Sequence, residues 1–236
     1  MLDKNKRQKL LSKMRKVLWG LKFNDGLVFK LFIYLLLIGI GFVYLYPLLH
    51  MLSMSMKDLS DLLSPMVHYV PTKFYVQNIV DSYRVLRYFP TLLTSLSVTL
   101  FPAILQTIVA SFIGYGFARF RFPLKKTLLA IVLVTYIIPP QILMIPRFVL
   151  FNNYGFLNNI LSILIPAGFG QGLNSAIFIL IFYQFYKMIP MALDEAAQID
   201  GANRLYIYFK IAVPLSIPSF VTSFLFSFVW YWNETY

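Results

Sequence analysis

Five long apolar runs dominate the chain, and the segments before and between them hold nearly all of its charge. The first, Leu31 to Leu52, reads LFIYLLLIGIGFVYLYPLLHML and contains no Asp, Glu, Lys or Arg. About 20 such residues in a helix cross a ~30 Å hydrocarbon layer. The pattern places further spans at Thr91 to Ala118, at Thr127 to Pro146 (broken by Pro139 and Pro140), at Ile160 to Tyr186 and at Ile211 to Tyr231. The fourth carries Gly168, Gly170 and Gly172 near its start, and Pro214 and Pro218 open the fifth. A helix satisfies its own backbone polar groups, which lipid cannot do, so these runs predict an all-α integral membrane domain with five spans. Residues 53–90 mix charges, tyrosines and two internal prolines, and are expected to form an external loop with short helices. RFRFPLKK, Arg119 to Lys126, is a basic turn, and RFVLFNNYGFLNN is a second external loop.

Composition supports this picture. Of the 236 residues 59% are hydrophobic and 13% charged, with a mean hydropathy of +0.70, whereas soluble domains are about a quarter charged. Residues 1–30 hold nine Lys/Arg and two Asp, with Leu10, Leu11, Met14, Leu18 and Leu21 at helical spacing. They read as a basic amphipathic N-terminal segment suited to an anionic inner leaflet, or equally as a flexible tail. The basic and first apolar stretches are too long for a cleaved signal, so the first run is expected to be retained. With the N-terminus cytoplasmic, internal segments carry sixteen Lys/Arg and external ones five, in accord with the positive-inside rule. The net charge of +12 is thus an orientation signal, and no nucleic-acid partner is expected. There are no cysteines, and His50 and His68 lie far apart, so no metal site is expected.

One segment stands out, DEAAQIDGANRLYIYFKIAVP, Asp194 to Pro214. Pro190 suits the first position of a helix, the acids Asp194 and Glu195 suit its positive end, and Gly201 suits the left-handed residue that closes it. Asn203 can cap the next helix. The reading is a short helix, a corner at Gly201, and a second helix entering the membrane. Ala192, Ala196 and Ala197 leave one side of the first helix thin enough for another surface to approach. By pattern alone this is a docking element or an ordinary interfacial helix.

Apart from His50 near one end, the spans hold no ionisable Asp, Glu, Lys, Arg or His in their interiors. Ion-coupled carriers usually keep some, which weighs against a secondary solute carrier, the alternative reading. No acid–base pair supports a membrane-embedded enzyme, and no catalytic residue is named. No G-x-x-x-x-G-K-[ST] loop is present, so ATP-driven transport would require nucleotide on another chain.

EAAQIDGANRLYIYFKIAVPLSIP resembles the EAA loop of permease subunits in binding-protein-dependent ABC importers, with Glu195, Ala196, Ala197, Asp200, Gly201, Ala202, Ile211, Pro214 and Pro218 in register. GYGFARFRFPLKK, IIPPQILMIPRFVLFNNYGFLNN, FYKMIPMALDEAA and the WNE near the end resemble the carbohydrate-class subunits. The likeness runs from about Pro71 to the last residue. Two departures stand: Thr94-Ser95 occupies the place of a frequent Asn-Ser, and a sixth helix that such subunits carry after W-N-[DE] is missing, so the chain is expected to lack its C-terminal helix.

The resemblance implies a type I, MetI-like importer fold over residues 31–236, with the coupling loop at about 187–210. It implies that Glu195, Ala196, Ala197, Asp200, Gly201, Ala202 and Arg204 meet a separate ATPase, which carries the ATP and Mg2+, and that this chain has no cofactor. The implied partners are a second permease subunit (a heterodimer), two ATPase subunits, an extracellular solute-binding protein and the lipids of a bacterial plasma membrane. A sugar would be the solute. Gln106, Tyr115, Gln171 and Asn174 offer amides and a ring for it, or serve helix packing instead.

Overall fold

The structure is a computed structural model that describes Leu18 and residues 26–234. Most of the expected amphipathic segment at 1–30 therefore lies outside the described residues. Among those described, all regular structure is helical. The described residues form two compact units that divide between Tyr88 and Phe89.

The first unit contains α1 (Leu27–Ser55), α2 (Leu59–Leu63) and α3 (Gln77–Val85). Helix α1 buries none of its residues. A helix that is apolar on every side suits lipid or another membrane helix as its surroundings. The loop that follows is compact. Asp58 caps α2 by accepting from the Asp61 N–H at 2.8 Å. The buried Asp61 carboxylate accepts from the N–H and hydroxyl of Thr72, at 2.7 and 2.6 Å. The buried Lys57 ammonium donates to the carbonyls of Val67 and His68, at 2.8 and 3.0 Å. Two charges buried in one loop thus both find partners, as buried charges must.

The second unit contains α4 (Tyr88–Arg119), α5 (Lys125–Ile137), α6 (Pro140–Asn153), α7 (Leu161–Gly168), α8 (Ser175–Met188), α9 (Met191–Ile199), α10 (Arg204–Ile207), α11 (Val213–Leu215) and α12 (Ile217–Trp232). A π turn, Tyr208–Ala212, joins α10 to α11. Helices α1 and α4 are each long and apolar enough to cross a membrane, and three bent pairs raise the number to five if each pair is one span.

The bends differ from the sequence pattern in instructive ways. Pro139 ends α5, and α6 leaves it at 96°, so the predicted third span and much of the predicted second loop are one broken pair. The predicted fourth span is not continuous. Gly170, at φ +71°, closes α7 in a Schellman turn, with Gln171 N–H bonded to Pro166 C=O at 2.8 Å and Gly170 N–H to Ala167 C=O at 3.3 Å. Residues 169–174 then intervene before α8. The predicted fifth span starts earlier, at Arg204, and bends by 76° next to Ser216. Its π turn precedes Pro214, which has no N–H for the carbonyl of Lys210.

The core of this unit lies between α4, α8 and the last helices. Small residues on α4, namely Ala110, Ser111 and Gly114, face large ones on α8, Phe178, Phe182 and Tyr186. At Gly114 an added Cβ would lie 2.6 Å from Phe182 Cβ and 2.9 Å from the Tyr183 backbone nitrogen. Small residues at such crossings let membrane helices approach until their backbones nearly touch. Helix α12 buries Ser219, Ser223, Ser227 and Tyr231, four residues apart each time, and packs Phe220 on Phe182 with ring centres 4.7 Å apart.

Candidate functional site

The corner after α8 is built as its sequence pattern predicts. Pro190 sits at the N-cap of α9 rather than one residue inside it. At the other end Gly201 takes φ +84°. Ala202 N–H bonds to Ala197 C=O at 2.9 Å and Gly201 N–H to Gln198 C=O at 3.0 Å, which completes a Schellman turn. Asn203 then caps α10, its Oδ1 accepting from Tyr206 N–H at 2.8 Å. Between α8 and α9 the chain axis turns by 70°.

The charged rim of this corner faces outward. Glu195, Ala196, Asp200, Gly201 and Arg204 are exposed, and Ala197 and Ala202 are half-buried. The space around Gly201 is open. Asp194, one helical step from Glu195, is turned into the protein and is 2% exposed.

Asp194 meets the end of α4. Its Oδ2 lies 3.4 Å from Arg119 Nε, with the two side chains 3% and 2% exposed. The same guanidinium donates from Nη2 to Ile189 C=O at 2.9 Å and directs Nη1 at the Met191 sulfur, 2.8 Å away. On the leaving side of the corner, the Arg204 guanidinium lies over the ring of Phe120, 5.5 Å from its centre. Both arms of the corner therefore rest on two consecutive residues, Arg119 at the end of α4 and Phe120 just after it. Removing one partner of a buried ion pair costs about 3–5 kcal/mol, because the other charge stays behind unpaired. Spacing does not single out Arg119 and Asp194: Arg119 reads as one of four bases in a turn, and Asp194 as one of two acids near a helix start.

Deeper along α4, a hydroxyl cluster ties the two arms together. Ser111 Oγ lies 2.6 Å from Tyr186 Oη and 2.8 Å from Tyr208 Oη. Ser216, at the 76° bend, donates to Tyr186 Oη at 3.2 Å. Tyr115 packs edge-on against Tyr186 and Tyr208, with ring centres 5.3 and 4.9 Å apart.

The four residues named for a solute path do not form one cluster. Gln106 is 1% exposed; its Nε2 donates to Leu173 C=O at 2.8 Å and its Oε1 accepts from Tyr231 at 2.7 Å. This bond network secures the break between α7 and α8. Tyr115 is buried about 13 Å further along the helix, nine residues on at ~1.5 Å each. Gln171 and Asn174 are exposed on the 169–174 break. Asn174 takes the left-handed φ of 51° just before α8. No group of three or more His, Asp or Glu side chains placed to hold a metal occurs among the described residues.

A bent, charged corner braced against long apolar helices marks this as a polytopic helical membrane protein. Residues 107–236, more than half of the chain, match the family described as the binding-protein-dependent transport system inner membrane component. The polygalacturonan/rhamnogalacturonan transport system permease protein YtcP of Bacillus subtilis is 30% identical over 210 residues, covering 87% of this chain and 70% of that one. The lactose transport system permease protein LacG of Rhizobium radiobacter is 34% identical over 140 residues, covering 59% of this chain and 50% of that one. The crystal structure of a bacterial ABC transporter involved in the import of the acidic polysaccharide alginate contains a similar fold, with a TM-score of 0.70 and 24% identity over 89% of this chain and 72% of that one. The chain belongs to the binding-protein-dependent transport family and is a permease subunit of an ABC importer.

Proposed function

We propose that this permease conducts a sugar or oligosaccharide, and that its 187–210 corner couples the spans to a separate ATPase. The observation that carries the coupling role is the corner itself: an outward rim of Glu195 on α9, Asp200 at its end and Arg204 at the start of α10, turned at Gly201 and braced from behind by Arg119. The exposed Glu195 pairs with a basic group of the ATPase, Ala196 and Ala197 let the two surfaces close, and Gly201 with Ala202 sets the bend. ATP and Mg2+ sit on the ATPase, and this chain performs no hydrolysis. The saccharide names of similar permeases support the solute class.

The assembly is a heterodimer of this chain with a second permease subunit, two ATPase copies and an extracellular solute-binding protein. It lies in a bacterial plasma membrane with the corner and the N-terminus cytoplasmic. The 53–90 loop and the segment after Arg147 face the side where the binding protein delivers its cargo. Gln171 and Asn174, exposed on the α7–α8 break, are the better placed of the four candidate solute contacts.

The test is co-purification from membranes. Glu195→Ala and Gly201→Leu chains insert normally but recover less ATPase and support less uptake than the parent. Parental ATPase recovery and uptake in both would remove the coupling role. Mass spectrometry of the ligand on the co-purified binding protein identifies the solute, and an amino acid or metal there would refute the sugar.

A further inference from the structure

We propose that Arg119 is a positioning residue through which movement of the corner is passed directly into the second span; this rests on the coupling role proposed above. The corner has two covalent exits, backward into α8 and forward through α10. Those exits meet α4 only deeper in the bundle, at Gly114 and Ser111; Arg119 supplies the direct connection at the corner, because it ends a continuous 32-residue helix and grips the entering arm at Asp194, Ile189 and Met191 together. The next residue, Phe120, receives Arg204 from the leaving arm. A push on the exposed rim therefore meets a guanidinium fixed to a rod about 48 Å long at ~1.5 Å per residue.

The pair is poorly suited to a purely stabilising role. Arg119 Nε and Asp194 Oδ2 are buried, yet neither completes a hydrogen bond. Buried ion pairs of this kind are often replaced by apolar side chains without loss of stability. What an apolar pair cannot supply is a directed, three-point hold on one loop. A nearby base provides the contrast: Arg121 lies in the same turn and is exposed.

The experiment uses the assembled complex in lipid vesicles and reads ATP hydrolysis with and without its solute-binding protein. Four forms are compared with the parent: Arg119→Gln, Arg119→Lys, Arg121→Gln, and the apolar pair Arg119→Met with Asp194→Leu. The apolar pair is expected to assemble and bind the ATPase as the parent does. Its stimulation by binding protein should fall roughly tenfold, within the range of coupling between distant sites. Arg119→Lys keeps the charge and recovers part of the stimulation, and Arg121→Gln keeps all of it. Full stimulation in the apolar pair overturns the proposal, since the contact would then be structural alone. If neither the apolar pair nor Arg119→Gln assembles, Arg119→Lys decides: parental stimulation overturns the proposal, and reduced stimulation at parental assembly supports it. Glu195→Ala, run in parallel, reports on ATPase docking separately, so a failure of the coupling role itself is distinguished from a failure of Arg119.

Discussion

Tyr231 donates its phenolic proton to Gln106 Oε1 over 2.7 Å, joining two buried residues 125 positions apart. The same phenol accepts from Leu173 N–H at 3.3 Å, and the other end of the amide donates to Leu173 C=O. Two membrane-embedded helices and the irregular segment between α7 and α8 are thus held by one side-chain amide. Gln106→Leu leaves the Leu173 carbonyl and the Tyr231 hydroxyl short of partners, at about 1–3 kcal/mol for each buried group left unsatisfied. The thermal unfolding midpoint of the complex should fall in Gln106→Leu and in Tyr231→Phe. The double variant should cost less than the sum of the two, and strict additivity would show that the bond carries no shared energy.

Gly201 is required for its backbone, since no atom lies within 4 Å of where a Cβ would sit. At φ +84° an L-residue pays roughly 1–2 kcal/mol in left-handed strain. Gly201→Asn should therefore keep most ATPase recovery, because Asn tolerates this region, whereas Gly201→Val should lose most of it. Equal recovery in the two variants would point to side-chain bulk rather than backbone conformation.

Gly114 is the opposite case, where space decides. An added methyl would meet Phe182 Cβ and the Tyr183 backbone. Gly114→Ala should destabilise the bundle by about 1–3 kcal/mol through overpacking. Thermal unfolding of the purified complex checks this, and an unchanged midpoint would show that α4 and α8 can separate at no cost.

The loop that follows α1 should be acid-sensitive at Asp58. Its carboxyl is held below its ordinary 3.8, chiefly because it accepts from the Asp61 N–H and then from the Ser60 hydroxyl. A depressed folded-state value means the ionised cap contributes fully above pH 3.8 and is lost as the pH falls through that lower value. The Asp61 amide resonance should show a titration step below pH 3.8 that Asp58→Asn removes. A step that survives the substitution would belong to another group.

The corner was legible because its signals are local. Pro190, Gly201 and Asn203 each act on a backbone conformation within a few residues of themselves, so their positions fix a helix, a left-handed closure and a cap. The expected spans were legible for the same kind of reason: a lipid-facing helix needs only an unbroken apolar run. The breaks were less so. Pro139 announced one, but Gly168, Gly170 and Gly172 lie near the start of a run that reads as a single continuous span. Gly170 instead closes a helix, and the carbonyl it helps expose at Leu173 is satisfied by Gln106 from a distant part of the chain.

Sequence by itself determined that this protein is helical and membrane-filled, and that a charged corner lies between its fourth and fifth apolar runs, because hydrophobic length and turn chemistry are properties of neighbours along the chain. Only the tertiary structure decided which charge faces outward and which is buried. Glu195 and Asp194 are adjacent acids that differ by one helical step. Their separate roles follow from where α4 ends, and the position of Arg119 in space is not written in the spacing of either segment.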